Sequence, residues 1–352
     1  MQLKIHFNNY YQSLYLMEPI STPPIKKLTP QELAVMNTSN DALLTKVYSA
    51  SLGYFKDDYS HYFLKAKKKM LPIINRGTWA RVQAVRQIVT RFIKAFPGNA
   101  QIVSLGAGYD TTYFWIKDQI KEGVYGEGAV KYVEVDYQQV VEKKIEIILK
   151  NEALWKHLWT TQEDIDDHKP EKSELNLPDY KLFSLDITDT SSLAAKLSSL
   201  SVDPAAPTLI LSECVLIYLP PDAITSILSF LSSHFTSDLA IMCYEMINPH
   251  DAFGRMMLEN LEDRGCKLQG IHACPSEGAQ IARLKEHAGM TMAECYNMSV
   301  VYGRKLDAAE RARIEKLEIF DEYEEWDLLS SHYCVSLGRR FVKDEDNQKV
   351  CI

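Results

Sequence analysis

The sequence lacks the features that would place a protein in a membrane, in a secretory route or on nucleic acid. No uninterrupted apolar run approaches the roughly 20 residues of a membrane-spanning helix, and residues 1–18 contain no apolar signal core. Positive charge is in deficit, with 39 Lys and Arg against 47 Asp and Glu and a net charge of −8, which argues against binding by phosphate neutralisation. We expect a cytoplasmic protein, monomeric, with no membrane or nucleic-acid partner.

Cysteine and histidine patterns typical of metal or redox sites are also absent. The seven cysteines are odd in number, lie in the last two-fifths of the chain and include no Cys-x-x-Cys pair, and the nine histidines show no metal-ligand spacing. We therefore predict reduced thiols and no bound metal.

The sequence does contain an alternation of short apolar runs with helical patterns, and 46% of its residues are hydrophobic, enough for a large core. Strands are predicted at Gln101–Leu105, Lys131–Val135, Lys181–Leu185, Thr208–Ser212, Leu239–Tyr244, Met292–Met298 and His332–Leu337. Strands that alternate with helices at this spacing predict an α/β fold with a doubly wound, seven-stranded, mostly parallel sheet.

Outside the sheet, residues 1–38 show no sustained period and are expected to form a mobile N-terminal arm. The first helix is expected to begin at Asn40 or Asp41. Further helices are predicted at Asp58–Met70, Thr78–Phe96 and Asp307–Leu329, and an inserted loop at Thr160–Asp179.

A glycine turn follows the first predicted strand. Gly106 and Gly108 precede a helix expected near Thr111, an arrangement typical of a nucleotide-type cradle. The dinucleotide fingerprint has a third glycine at the position of Thr111, where it lets the helix pack closely and face a pyrophosphate. The turn therefore favours a ligand without phosphates and weakens a hydride-transfer interpretation.

Acidic residues follow the next three predicted strands. Asp136, Asp186 and Glu213 would meet the glycine turn at one edge, because ligands of open parallel sheets bind at the carboxyl ends of the strands. Asp136 is expected to accept from both ribose hydroxyls and Asp186 from an adenine amino group, with Ile187 packed on the ring. Gly106 would let the backbone approach an amino-acid tail. The ligand that fits these places is S-adenosylmethionine.

Other candidate residues have plain structural alternatives. Lys46 and Arg81, each on a predicted helix, are by themselves surface charges beside a buried stripe. Cys214 follows a strand where cytosine-C5 methyltransferases place a nucleophile, but it lacks the adjoining proline, and Cys274-Pro275 comes after a later strand, so both are interpreted as buried thiols. A binding module that has lost catalysis stays open.

Several segments together resemble the leucine carboxyl methyltransferase family, from about Asn40 to Ser336. The segments are Asn75-Arg-Gly77, Ala80-Arg-Val82, Leu105-Gly-Ala-Gly-Tyr-Asp-Thr-Thr112, Glu134-Val-Asp136, Ser212-Glu-Cys-Val-Leu-Ile-Tyr218, Arg255–Leu261, Phe320-Asp-Glu322 and His332-Tyr-Cys334. The resemblance implies a class I S-adenosylmethionine-dependent methyltransferase whose substrate is the C-terminal leucine carboxylate of the type-2A protein phosphatase catalytic subunit. A small-molecule carboxylate is the alternative acceptor. Donor contacts are implied at Lys46, Arg81, Gly106, Asp136, Asp186, Ile187 and Glu213, with Gly108 in the same turn.

The implied reaction sets the remaining expectations. A carboxylate is already ionised at neutral pH, so methyl transfer needs alignment and desolvation rather than a general base. Arg81 is the predicted catalytic residue, because its planar fork can orient a carboxylate, and Tyr218 is predicted to line the acceptor side. The expected division is a helical cover at 39–98, a donor-binding core at 99–245, a substrate-recognition insertion at 246–304 and a closing helix and strand at 305–352.

Overall fold

The structure, a computed structural model, describes residues 28–64, 68–168 and 170–352. Most of the expected N-terminal arm therefore lies outside the described residues. Within them, no helix is both long and apolar enough to cross a membrane.

One sheet of eight strands forms the centre of the molecule. The strands are Ala100–Leu105 (β1), Val130–Asp136 (β2), Glu174–Asn176 (β3), Tyr180–Ser184 (β4), Thr208–Glu213 (β5), Leu239–Met246 (β6), Met292–Asn297 (β7) and Tyr333–Arg340 (β8). Their order is β3-β4-β2-β1-β5-β6-β8-β7. The pairs among β4, β2, β1, β5 and β6 are parallel, whereas β3, β8 and β7 each pair antiparallel with a neighbour.

Helices cover both faces of the sheet, which confirms the doubly wound α/β prediction. They are Pro30–Ser51 (α1), Pro72–Ala95 (α2), Thr112–Lys121 (α3), Gln138–Lys150 (α4), Glu152–Trp155 (α5), Gln162–His168 (α6), Thr190–Ser199 (α7), Pro221–His234 (α8), Ala252–Asp263 (α9), Glu277–Glu286 (α10), Met298–Val300 (α11), Ala308–Ile314 (α12), Tyr323–Ser331 (α13) and Asp344–Lys349 (α14). Single 3-10 turns lie at Ser60–Phe63 and Leu216–Tyr218, and a π-helical turn at Val301–Lys305.

The two faces carry separate apolar cores. Ile102 of β1 belongs to the core under α2 and α4, whereas the adjacent Val103 belongs to the core under α7, α8 and α10. This alternation is what the two-residue period of a strand produces when both faces are buried. Strand order reverses between β1 and β5, so a crevice opens at their carboxyl ends, where ligands of such sheets bind.

The start of the first helix was predicted wrongly. The helix begins at Pro30, not at Asn40 or Asp41, so residues 30–38 belong to α1 and not to an arm. Thr29 and Glu32 form a capping box, each side chain bonded to the other's backbone N–H, and Pro30 occupies the first helical position. The sequence Thr29-Pro-Gln-Glu32 therefore carried a start signal that the prolines before it obscured.

Four further boundaries differ from the predictions. Of Asp58–Met70, only Ser60–Phe63 is helical among the described residues, and 65–67 lie outside them. The helix predicted from Thr78 begins at Pro72. The predicted loop Thr160–Asp179 contains α6 and β3, and β3 adds an eighth strand at the sheet edge. The predicted helix Asp307–Leu329 is two helices, α12 and α13, because Glu318 between them turns inward to bind Tyr54 and Asn75.

Candidate active site

A large cavity opens at the carboxyl ends of β1, β2, β4 and β5. Its volume is about 750 Å³, within the roughly 300–1,000 Å³ of small-molecule sites. Every residue that the sequence predicts for the site lies on its wall: Lys46, Arg81, Gly106, Gly108, Asp136, Asp186, Ile187, Glu213 and Tyr218. The fold thus brings together residues from α1, α2 and four strand ends.

The glycine turn lets the backbone approach the cavity. Gly106 and Gly108 have φ of +56° and +54°, a region where other residues are strained. A Cβ on Gly106 would lie 2.6 Å from the Cγ2 atom of Val215. The turn therefore requires glycine at position 106 for both conformation and space.

Asp136 and Asp186, which the sequence predicts as ribose and adenine contacts, both line the cavity. The two carboxylate oxygens of Asp136 accept from the N–H of Gly108 at 2.6 Å and of Tyr137 at 2.7 Å. A carboxylate has about four acceptor positions, so capacity for further hydrogen bonds is left. Burial raises the pKa of Asp136, although these backbone bonds oppose the rise. Asp186 accepts from the N–H and hydroxyl of Thr188, and Ile187 is buried beside it.

Arg81 and Glu213 form an ion pair on the cavity wall. The Nε of Arg81 donates to Oε2 of Glu213 at 2.7 Å, and the two side chains are 19% and 15% exposed. The guanidinium lies over the ring of Tyr244, with 4.8 Å from Cζ to the centroid. Burial opposes its charge, yet Glu213 raises the pKa of Arg81 above its ordinary value. The two Nη groups have no hydrogen-bond partner among the described residues.

Lys46 is the second cation of the wall. Its Nζ donates to Oδ1 of Asp110 at 2.6 Å, and the same carboxylate accepts from the N–H of Thr112 at 3.0 Å. Burial disfavours the ammonium, but Asp110 and Glu213 together raise the pKa of Lys46. Lys46 and Arg81 therefore both stay charged.

Tyr218 and Cys214 follow β5 and line the same cavity. Burial raises the pKa of Tyr218 far above its usual range, so its hydroxyl stays protonated at neutral pH. Cys214, predicted to be a buried thiol, is half-buried on the wall, with φ of +55°. Burial raises the pKa of this thiol to about 12, which leaves little thiolate for nucleophilic attack. Cys274 is buried, and all seven cysteines are free thiols.

Sequence reasoning missed part of the wall. The first turns of α1 line the cavity through Gln31, Val35 and Thr38, although this stretch was assigned to the arm. Tyr244 and Tyr333, stacked with centroids 5.6 Å apart, also line it. The capping box at Thr29 was a signal for the first group. No local signal marks the tyrosines, because neighbouring strands β6 and β8 bring them together.

Known proteins are similar to this chain over most of its length. The family model described as leucine carboxyl methyltransferase matches residues 34–232. The chain is 40% identical over 304 residues to the leucine carboxyl methyltransferase 1 homolog of Arabidopsis thaliana, with 86% of this chain and 88% of that protein covered. The chain belongs to the leucine carboxyl methyltransferase family. It is also 35% identical over 311 residues to leucine carboxyl methyltransferase 1 of Rattus norvegicus, with 87% and 90% covered.

The residues matched by the family model form only part of the cavity wall. All nine predicted site residues, from Lys46 to Tyr218, fall within the matched residues 34–232 of the leucine carboxyl methyltransferase model. The wall contributed by α9, α13 and β8 lies beyond it. The crystal structure of a candidate methyltransferase from Thermobifida fusca, 13% identical with a TM-score of 0.50, covers 92% of this chain and is itself covered completely. That likeness shows the fold, which is that of class I S-adenosylmethionine-dependent methyltransferases.

Proposed function

We propose that this protein transfers the methyl group of S-adenosylmethionine to the C-terminal leucine carboxylate of the type-2A protein phosphatase catalytic subunit. Membership of the leucine carboxyl methyltransferase family supports the reaction class. The observation that carries the proposal is the position of Arg81 on the cavity wall. Its guanidinium uses Nε to bind Glu213, and its two Nη groups have no partner among the described residues.

The cavity wall fits the methyl donor. Asp136 retains acceptor capacity for the ribose hydroxyls, and Asp186 with Ile187 provides an acceptor and an apolar surface for adenine. Gly106 lines the cavity without a side chain, so its backbone can come close to the amino-acid tail. Bound there, S-adenosylmethionine supplies an electrophilic methyl group on a sulfonium.

Arg81 suits an incoming carboxylate because of how its donors are divided. Nε is used by Glu213 at 2.7 Å, so the plane of the fork is fixed and the paired Nη donors are left for a second carboxylate. Tyr218, protonated because of its burial, can donate a further hydrogen bond. Apolar side chains on the same wall, including Met246, Leu261 and Leu329, suit a leucine side chain.

The reaction then needs no proton transfer. The acceptor carboxylate is ionised at neutral pH, and no histidine lines the cavity among the described residues. Arg81 and the turn at Gly106 hold acceptor and donor in line, while the cavity removes water from the attacking oxygen. One carboxylate oxygen gains the methyl group as the sulfur–carbon bond breaks, which yields a methyl ester and S-adenosylhomocysteine.

The test is to supply labelled S-adenosylmethionine with the intact phosphatase catalytic subunit and with a form that lacks its last leucine. We expect base-labile label on the intact protein alone. Equal label on both forms would refute the carboxyl-terminal site. Label found only on small carboxylates would favour a small-molecule acceptor, and donor binding by calorimetry without any transfer would indicate a binding module.

A further inference from the structure

A lysine and a glutamate are completely buried next to the glycine turn, outside the cavity. Lys144 of α4 and Glu134 of β2 are 0% and 1% exposed, and 2.5 Å separates Nζ of Lys144 from Oε2 of Glu134. The same carboxylate oxygen accepts from the hydroxyl of Tyr180 at 3.0 Å. The proposed reaction uses neither charge.

The ammonium of Lys144 has a second acceptor, which is the main chain of the turn. Nζ donates to the carbonyl oxygen of Asp110 at 2.8 Å. Asp110 is the last residue of the turn before α3, and its carboxylate binds Lys46 at 2.6 Å. Asp110 is thus held through its backbone from the core and through its side chain from the cavity wall.

Stability alone is a weak reason for such a pair. Burial raises the pKa of Glu134 to about 7, although Lys144 opposes the rise, so the ionised carboxylate is costly in this place. Apolar side chains of similar volume are often equally stable or more stable than a buried ion pair. What Lys144 adds is a charged hydrogen bond to one main-chain oxygen. That bond is strong because its donor, the side chain of Lys144, is 0% exposed and water does not compete for it.

We propose that Lys144 is a positioning residue for the methyl-donor site. It fixes the carbonyl of Asp110, and with it the Gly106–Asp110 turn and the carboxylate that orients Lys46. Glu134 holds the ammonium of Lys144 at 2.5 Å and so orients it. The identity of the donor rests on the proposed function, whereas the ordering of the turn is a property of the protein without ligand.

Three variants separate positioning from stability. Lys144→Met removes the bond to Asp110 but leaves Glu134 buried without its cation, so a loss of stability is expected as well. Adding Glu134→Gln removes that unpaired charge while Tyr180 keeps an acceptor. Tyr180→Phe is the matched control: it disturbs the same network but leaves the bond from Lys144 to Asp110 in place. Each protein is examined by thermal unfolding, by amide hydrogen exchange without ligand, and by calorimetry with S-adenosylmethionine.

The double variant is expected to regain most of the stability lost in Lys144→Met. Its turn amides should still exchange about tenfold faster than in the unmodified protein, and its donor affinity should be about tenfold weaker, as loss of one charged hydrogen bond implies. Tyr180→Phe should match the unmodified protein in both readouts. Wild-type exchange at the turn in the double variant would overturn the proposal, and so would an equal loss in Tyr180→Phe. An unmodified protein that binds no donor would refute the proposed function, while the exchange data would still decide on Lys144.

Discussion

Two arginine–glutamate pairs sit at the carboxyl ends of neighbouring strands and differ in what surrounds them. Glu213 ends β5 and binds Arg81 at 2.7 Å, with side chains 15% and 19% exposed on the cavity wall. Glu245, near the end of β6, binds Arg283 of α10 at 2.9 Å, with side chains 0% and 6% exposed. Burial opposes the charge of both guanidinium groups, but the carboxylates raise the pKa of each. The two pairs carry the same charges, but only Arg81 and Glu213 line the cavity.

The buried pair, Glu245 with Arg283, binds other parts of the fold. Glu245 also accepts from the N–H of Ile217 at 2.9 Å, so it supports the turn that carries Tyr218, and Arg283 shares its Nη2 with Gln280. Arg81 instead lines the open cavity, and its two Nη groups have no hydrogen-bond partner among the described residues. The same two kinds of side chain, near the ends of neighbouring strands, are sealed against α10 in one pair and open to a cavity beside α2 in the other.

The largest effect is expected from Arg81→Ala. Methyl transfer should fall by about 10³-fold, because the donors that align a carboxylate are lost. Stability should change by only about 1 kcal/mol, because water in the open cavity can solvate the carboxylate of Glu213. The measurements are kcat/KM with labelled donor and thermal unfolding. Turnover at the wild-type rate would remove Arg81 from the mechanism, and Arg81→Lys should remain impaired because an ammonium lacks the planar fork.

Arg283→Ala should show the opposite pattern. Removing one member of a sealed pair leaves Glu245 charged and buried, which should cost about 3 kcal/mol of unfolding free energy. Donor affinity, measured by calorimetry well below the midpoint of unfolding, should stay within about twofold of the unmodified protein. If Arg283→Ala instead kept its stability and lost donor binding, the distinction between the two pairs would be wrong.

The sequence could predict the ends of the strands but not which of the two glutamates faces the cavity. Strands, the glycine turn and the acids after the strands follow from local patterns, and the structure has them within a few residues. Glu213 and Glu245 end their strands in the same way in the sequence. Which one faces a cavity depends on helices distant in the chain. The burial of Lys144, and the inward turn of Glu318 that splits the predicted helix, also depend on such distant contacts.

A smaller effect is expected from Gly106→Ala. Its Cβ would lie 2.6 Å from Val215 and φ is +56°, so the turn must shift, and donor affinity should fall about tenfold. Gly123→Ala is the matched control, because φ there is +76° with no atom within 4 Å. It should lose about 1 kcal/mol of stability from the same backbone strain without any loss of binding. Combining Gly106→Ala with Val215→Ala should restore part of the affinity, and no restoration would show that the clash is not the cause.

The smallest effect is the one expected from pH, and it tests whether the cavity pair acts by geometry or by proton transfer. Arg81 and Lys46 have raised pKa values, and the thiol of Cys214 has a pKa of about 12, so none of them titrates near neutrality. Methyl transfer should therefore vary less than about twofold between about pH 7 and 9, where the acceptor carboxylate stays ionised. Below that range donor affinity should fall, because burial raises the pKa of Asp136 and raises that of Glu134 to about 7, and the ionised forms are lost as pH drops through these values. A bell-shaped profile with a limb near pH 8 would require a general base on the wall and would contradict a purely aligning role for Arg81.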